Sequence, residues 1–256
     1  MVRLTDFFIT RVLRSVVLLV TLGFCPLAIA EVAMPFEAVY EVFIDGKPRM
    51  EARISLARQG EEWLFSNELK GTGGLAKFLN ARSSEQSRGI FTNDEFQPFS
   101  YSQSSKIAGR NDHWTAEFDW PANIVVTHHE DGESTLEAVP GTVDPLSLTL
   151  ILRHHLAQGI SDLSFEIVDE EEIDHHIFLA SEPGNLETAL GCFETVSVSR
   201  VRENSKRYSS GWYAVSLDFL PLKLLHGKRG GKEFEMRIKH LVIDGEEMSV
   251  PAECPA

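Results

Sequence analysis

FEAVYEVFIDGKPRMEARISLARQGEEWLFSNEL, residues 36–69, decides the fold. Phe36, Ala38, Tyr40 and Val42 take every second position, with Glu37, Val39 and Glu41 between them. Side chains of an extended strand point alternately to its two faces, so this spacing predicts a strand with one face inward. Asp45-Gly46-Lys47-Pro48 reads as a turn, Asp-Gly being a favoured hairpin pair. Met50, Ala52, Ile54 and Leu56 then alternate with Glu51, Arg53 and Ser55. Gln59-Gly60-Glu61 makes the next turn, and Trp63, Phe65, Asn67 and Leu69 begin a third strand.

The same period recurs in 83–91, 99–107, 112–120 and 123–129, with Asp131-Gly132 as another hairpin tip. It returns in 163–169, 173–180, 193–201, 207–217 and 233–243. Many short strands joined by polar turns predict a mainly β fold. We expect a strongly curved antiparallel meander sheet or incomplete barrel, in which sequence neighbours pair.

Two segments break the pattern. Residues 73–80 read as one or two helical turns. Residues 144–158 carry fuller helix signals: Asp144 to cap free amides, Pro145 at the first position, and Gly159 as the stop. Leu148, Ile151, Leu152 and Leu156 share a face at helical spacing. This predicts one main α-helix, about 144–158, laid against the concave face of the sheet.

The N-terminus reads as an export signal. Arg3, Arg11 and Arg14 precede an apolar run from Val16 to Phe24; Pro26 and Ala28-Ile29-Ala30 follow. The run is shorter than the roughly 20 residues a bilayer span needs. Phe24 precedes Cys25 where a lipidation site takes a small residue. The division expected is a signal peptide at 1–30 cleaved after Ala30, a single β-rich domain at 31–245, and a C-terminal tail at 246–256. The mature protein would be periplasmic, with no integral membrane segment.

Of 24 Lys and Arg and 38 Asp and Glu, three Arg and one Asp lie in the leader, leaving 21 against 37 and a net charge of −16. Such acidity repels phosphate backbones and anionic head groups, arguing against nucleic acid and against a polybasic membrane mode. Cys192 and Cys254 remain. In an oxidising compartment they either pair, tying the tail to the body, or stand as separate thiols.

Catalytic signatures are missing. The doublets His128-His129, His154-His155 and His175-His176 offer one ligand per strand face, and no His-Glu-x-x-His or Cys-x-x-Cys accompanies them. No Gly-x-Ser-x-Gly elbow is present. Glu194 beside Cys192 opposes a reactive thiolate, so Cys192 reads as a small buried residue opening a strand. Gly73-Gly74 and Gly230-Gly231 lack phosphate-loop spacing. The acidic run 169–174 lacks calcium-loop spacing. We expect no enzyme activity, no metal and no cofactor. Trp114, Phe118, Trp212 and Phe219, with Leu148 and Leu152 from the helix, are the residues expected to line a ligand cavity if they are not plain core.

Trp212-Tyr213-Ala214-Val215 followed by Asp218-Phe219-Leu220-Pro221-Leu222-Lys223 resembles the bacterial domain-of-unknown-function 3108 family. Ala38–Val42, Asp144–Leu148 and Thr188–Thr195 fit the same resemblance, which covers most of 36–245. It implies export and carries no assigned reaction. More distantly, the Trp and Leu-Pro-x-Lys strand pair is similar to periplasmic lipoprotein carriers. In those, helices cover the apolar concave face of a curved sheet that accepts acyl chains. The function expected is therefore binding of a lipid or other apolar small molecule in a sheet cavity. The alternatives are an envelope interaction protein without a pocket, and an envelope hydrolase with an unrecognised site.

Overall fold

The computed structural model describes residues 34–92, 95–203, 205–248 and 254. The leader at 1–30, with Cys25 and the cleavage site after Ala30, lies outside them. Among the described residues no helix is long and apolar enough to cross a membrane.

The chain is mainly β. Its strands are β1 (Phe36–Ile44), β2 (Lys47–Gln59), β3 (Glu62–Gly71), β4 (Arg82–Thr92), β5 (Glu95–Ile107), β6 (Arg110–Asp119), β7 (Ile124–His129) and β8 (Gly132–Glu137). After a helical crossing come β9 (Leu163–Val168), β10 (Ile173–Ala180), β11 (Gly184–Thr188), β12 (Gly191–Arg200), β13 (Arg207–Ala214), β14 (Leu220–Lys228), β15 (Glu233–Ile243) and β16 (Glu246–Glu247). Two short helices interrupt them, α1 (Gly74–Phe78) and α2 (Leu148–Ala157).

All sixteen strands belong to one antiparallel sheet, ordered β8-β7-β6-β5-β4-β3-β2-β1-β15-β14-β13-β12-β10-β9, with β11 on β12 and β16 on β15. The first strand pairs with the last long one, Phe36 opposite Ile243 and Ile44 opposite Phe234. The chain thus starts mid-sheet, runs to one edge, crosses through α2 to the other edge, and returns to the middle. The edges β8 and β9 do not pair, so the sheet is not closed. The segment after β8 nevertheless reaches β9. Val143 forms a parallel bridge to Ile167, with Val143 N–H donating to Glu166 O at 2.9 Å and Val168 N–H to Val143 O at 2.9 Å. Thr127 on β7 donates its hydroxyl to Glu170 O beyond β9 at 2.5 Å.

The alternation read in 36–69 gives the inner face. Phe36, Ala38, Tyr40, Val42, Ala52, Ile54, Leu56, Trp63 and Phe65 are all buried, in one cluster with Leu150, Ile151 and Leu152 of α2. Four strands escape the period-two reading: β8, β11, β14 and the two-residue β16. The first two are short, and β14 follows a corner where Val215–Leu217 form a 3-10 turn inside the expected 207–217 strand. In the expected tail, Glu246-Glu247 pair with Val242-Ile243, and Cys254 is disulfide-bonded to Cys192 with Cα atoms 5.1 Å apart. Cys192 is half-buried.

The helix is shorter than the expected 144–158. Asp144 Oδ1 accepts the amides of Leu146 (2.9 Å) and Ser147 (2.8 Å), which folds 144–147 into a turn that leads into α2. The buried side chains of α2 are Leu150, Ile151, Leu152 and Arg153, while Leu148 and Leu156 are only partly buried. The expected stripe is rotated because Arg153 is drawn inward. Its Nε donates to Asp218 O at 3.0 Å and its Nη2 to Asp218 Oδ2 at 3.3 Å. Asp218 and Phe219 both have left-handed backbone angles, φ 50° and 52°. A bulky residue there is strained, and the Arg153 clamp with Phe219 N–H on Ala214 O (2.9 Å) fixes the corner.

Candidate functional site

Because the sheet ends converge, strands distant in its order come to face each other. Between them lies a cavity of about 510 Å³. Glu85, Tyr101, Gln103 and Trp114 wall it from β4–β6; Pro145 and Leu148 roof it. The opposite wall carries Asp174, His176 and Phe178 of β10, Arg200 and Arg202 at the end of β12, Ser209 of β13 and His226 of β14. An adjoining slot of about 270 Å³ shares Phe178, Ser209 and His226, and is otherwise lined mainly by Val198, Tyr213, Leu224, Phe234 and Met236. The slot has a bare floor at Gly211. A Cβ there would lie 2.6 Å from the Tyr213 ring and 2.9 Å from Leu224.

The slot is apolar and the cavity charged: Arg200, Arg202 and His226 share one wall with Asp174, and Glu85 stands on the other. Arg202 Nη1 donates to Ser209 Oγ at 3.2 Å, and Ser209 Oγ lies 2.8 Å from His226 Nδ1. Arg200 Nε is buried without a hydrogen-bond partner. His176 Nε2 stands 3.6 Å from Asp174 Oδ2, too long for a hydrogen bond. Burial first, then neighbouring cations, push these groups toward their neutral forms: Arg202 acts on Arg200, and both arginines on His176 and His226. The carboxyls of Glu85 and Glu170 are raised, first by burial and then by acids, Asp144 for Glu85 and Asp112 and Asp169 for Glu170. The Tyr101 hydroxyl is raised by burial and then by Glu85. The adjoining aromatic wall is tight: Trp114 Nε1 donates to Gln103 Oε1 at 2.6 Å and its ring lies 4.7 Å from that of Tyr101.

Of the six expected cavity residues, the structure brings Trp114 and Leu148 to this cavity. Leu152 is buried in the core. Phe118 stacks on Trp120 at 5.5 Å, away from it. Trp212 points to the other face of β13 and holds Lys223 Nζ 4.6 Å from its ring. Phe219 packs at the Asp218 corner. The polar lining, Glu85, Arg200, Arg202 and His226, is absent from the sequence reading. Its alternation was visible, but nothing in a strand's period marks which inward position is charged and open.

Other cavities are chemically quieter. A groove of about 640 Å³ runs past β11 and β15, and two of its cations are paired: Lys223 Nζ is 3.0 Å and Arg237 Nη2 2.7 Å from Glu235, whose carboxyl they hold low. A cleft of about 450 Å³ holds His175 Nδ1 2.7 Å from Glu166 Oε1. Ser164 beside them donates to Asp162 at 2.6 Å. His129, Asp131 and Glu171 bring three possible metal-ligand atoms within 4.8 Å of one another, two of the residues being exposed.

No curated protein matches this chain. Among solved structures, a β-barrel-like protein of the domain-of-unknown-function 1849 group from Brucella abortus shares the fold. Its TM-score is 0.57 at 9% identity, over 83% of this chain and 99% of that one. Weaker likenesses are a candidate lipoprotein from Parabacteroides distasonis (TM-score 0.33, 7% identity, 82% and 96% covered) and a candidate exported protein with a YmcC-like fold from Bacteroides fragilis (0.31, 7%, 81% and 95%). The family model described as a protein of unknown function, DUF3108, matches residues 39–232, and the chain belongs to that family.

Proposed function

We propose that this is an exported, non-enzymatic binding protein that holds a lipid or similar amphipathic molecule inside a half-open barrel, with α2 laid against the concave side. The observation that carries the reading is the pair of adjoining spaces. A charged cavity of about 510 Å³ lies beside an apolar slot of about 270 Å³, and the two share Phe178, Ser209 and His226. Ligand sites fall in the range of roughly 300–1,000 Å³ and combine apolar walls with a few placed polar groups. An amphiphile matches both parts: chain in the slot, head in the cavity.

Native mass spectrometry of protein purified from the periplasm tests this. A bound mass in the lipid range, released by organic extraction, is the expected result. Ligand-free protein that gains no mass when short-chain lipids are added overturns it. A second reading has one observation behind it. Ile177, Leu179 and Val201 are exposed at 45%, 64% and 41%, and Val201 N–H bonds Ile177 O at 2.8 Å, so the three lie close together. That patch fits an envelope protein partner, and specific capture of one without lipid would favour it.

A further inference from the structure

We infer that the amphiphile held in the cavity carries a zwitterionic head group, its phosphate set against Arg200 and Arg202 and its ammonium against Glu85 and Glu170. This rests on the amphiphile reading above and narrows it to one lipid class. Following the sheet order around the cavity, β14, β13 and β12 present His226, Ser209 and the two arginines. Beyond β10 comes the turn with Glu170, and across the gap stands Glu85 on β4. The arginines therefore face Glu85 across one space, with Asp174 of β10 beside Arg200 as the one acid on their own wall.

These charges do not neutralise one another. Among the described residues, none of Arg200, Arg202, Glu85 and Glu170 makes an ion pair. The sole hydrogen bond from the Arg202 guanidinium joins Ser209, and Arg200 Nε is buried with none. Leaving the Arg200 Nε buried without a partner is costly, whereas Lys223 and Arg237 beside β15 are both paired with Glu235. A purely anionic head would satisfy the arginines and meet repulsion from the acids; a cationic head would do the reverse. A head bearing both signs satisfies both. The guanidinium fork suits phosphate oxygens, and the Trp114–Tyr101 wall lies beside Glu85.

The test uses delipidated mature protein and four probes: dihexanoyl phosphatidylethanolamine, dihexanoyl phosphatidylglycerol, dihexanoylglycerol, and glycerophosphoethanolamine, which has the head but no chains. Calorimetric titration should show the ethanolamine lipid binding at least tenfold more tightly than each of the other three. Arg200→Gln with Arg202→Gln should bring it to the level of dihexanoylglycerol. Glu85→Gln, which leaves the arginines in place, should narrow the gap between the two phospholipids; melting curves confirm that each variant is folded. Equal affinity for all three lipids overturns the head-group assignment and leaves the amphiphile reading standing. Preference for phosphatidylglycerol also overturns the assignment. Binding of glycerophosphoethanolamine as tight as the lipid, or of no probe, overturns both.

Discussion

The two halves of the sheet are built differently. In β1–β5 consecutive strands pair over nearly their whole length: β4 follows β5 from Arg82 to Thr92, and β2 follows β3 from Met50 to Gly71 at one end to Gln59 and Glu62 at the other. In β9–β15 the ladders are shorter, and β10 meets β12 only over Phe178–Ala180. The difference decides where the empty space is. Complete ladders align whole rows of inward side chains, which fill the face with Tyr40, Trp63 and Phe65. β12 stops at Arg200 and Val201 N–H still bonds Ile177 O, leaving residues 173–176 of β10 without a ladder partner on that side, and there the lining turns to Asp174, His176 and Arg200. The regular half packs the core and lends one wall of the cavity through Glu85, Tyr101 and Trp114, and the irregular half leaves the space open.

The strongest test of that division is a pair of truncations. Phe65 is 1% exposed and packs edge-on against Phe36, with ring centres 6.2 Å apart. Phe65→Ala should cost about 3–5 kcal/mol of unfolding free energy in denaturant titration. Phe178, partly buried at the junction of slot and cavity, should cost about 1 kcal/mol when truncated to Ala, since that site is already open on one side. It should weaken amphiphile binding instead. Equal losses of stability would erase the distinction between the halves.

The next effect concerns the staple. Cys192 opens β12, and its bond to Cys254 closes a 62-residue separation within the looser half. Replacing both by Ser should lower stability by about 2–4 kcal/mol. Hydrogen exchange should rise first in β10–β14, with the amides of β2–β5 still protected. Uniform loosening would mean that the halves unfold as one.

Much of this fold was legible because period two is a strong signal where one face is buried, as at Phe36–Val42 and Met50–Leu56. The hairpin tips at Asp45-Gly46 and Asp131-Gly132 read directly from their chemistry. Strand β14 was obscured by Pro221 and by the left-handed pair Asp218-Phe219, a conformation held by Arg153 from 65 residues away and invisible locally. The site was harder still. Aromatic residues signalled a cavity, yet Trp212 faces outward and Leu152 is core, because a cavity is defined by where packing fails across distant strands. Glu85 and Arg200 are ordinary charges until β4 and β12 face each other.

The two ends of the helical crossing sharpen the comparison at smaller scale. Asp144 ties it to the regular half: Ser87 of β4 donates to Oδ2 at 2.6 Å, and two amides bond Oδ1. Arg153 ties it to the irregular half through Asp218, with Nη1 buried and unpartnered and the Asp218 side chain 39% exposed. Asp144→Ala strands a buried hydroxyl and two amides and should cost about 1–3 kcal/mol. Arg153→Met keeps the packing, removes a poorly satisfied charge, and lets Asp218 rehydrate, so its cost should stay below about 1 kcal/mol. Thermal unfolding of the two variants decides it; the reverse order would place the main anchor of α2 in the irregular half.

The smallest effect is in pH. Burial leads the causes that lower His155, His176 and His226 from the ordinary value of 6.5, so in each the folded state disfavours the imidazolium. The unfolded chain therefore takes up protons first as pH falls. Stability from these groups is full above 6.5 and is lost as pH drops through their depressed folded values. The raised carboxyls of Glu85, Asp144 and Asp218 act in the opposite sense, favouring the fold as pH falls toward the ordinary carboxylate range. His176→Gln should therefore flatten the loss below pH 6.5 in denaturant titrations, because it removes one imidazole and leaves the carboxyls unchanged. His113 on β6, exposed in the regular half with Nδ1 2.8 Å from Gln103 O, is the control. If His113→Gln flattened the profile equally, the acid sensitivity would belong to the whole sheet and not to the wall that carries His176 and His226.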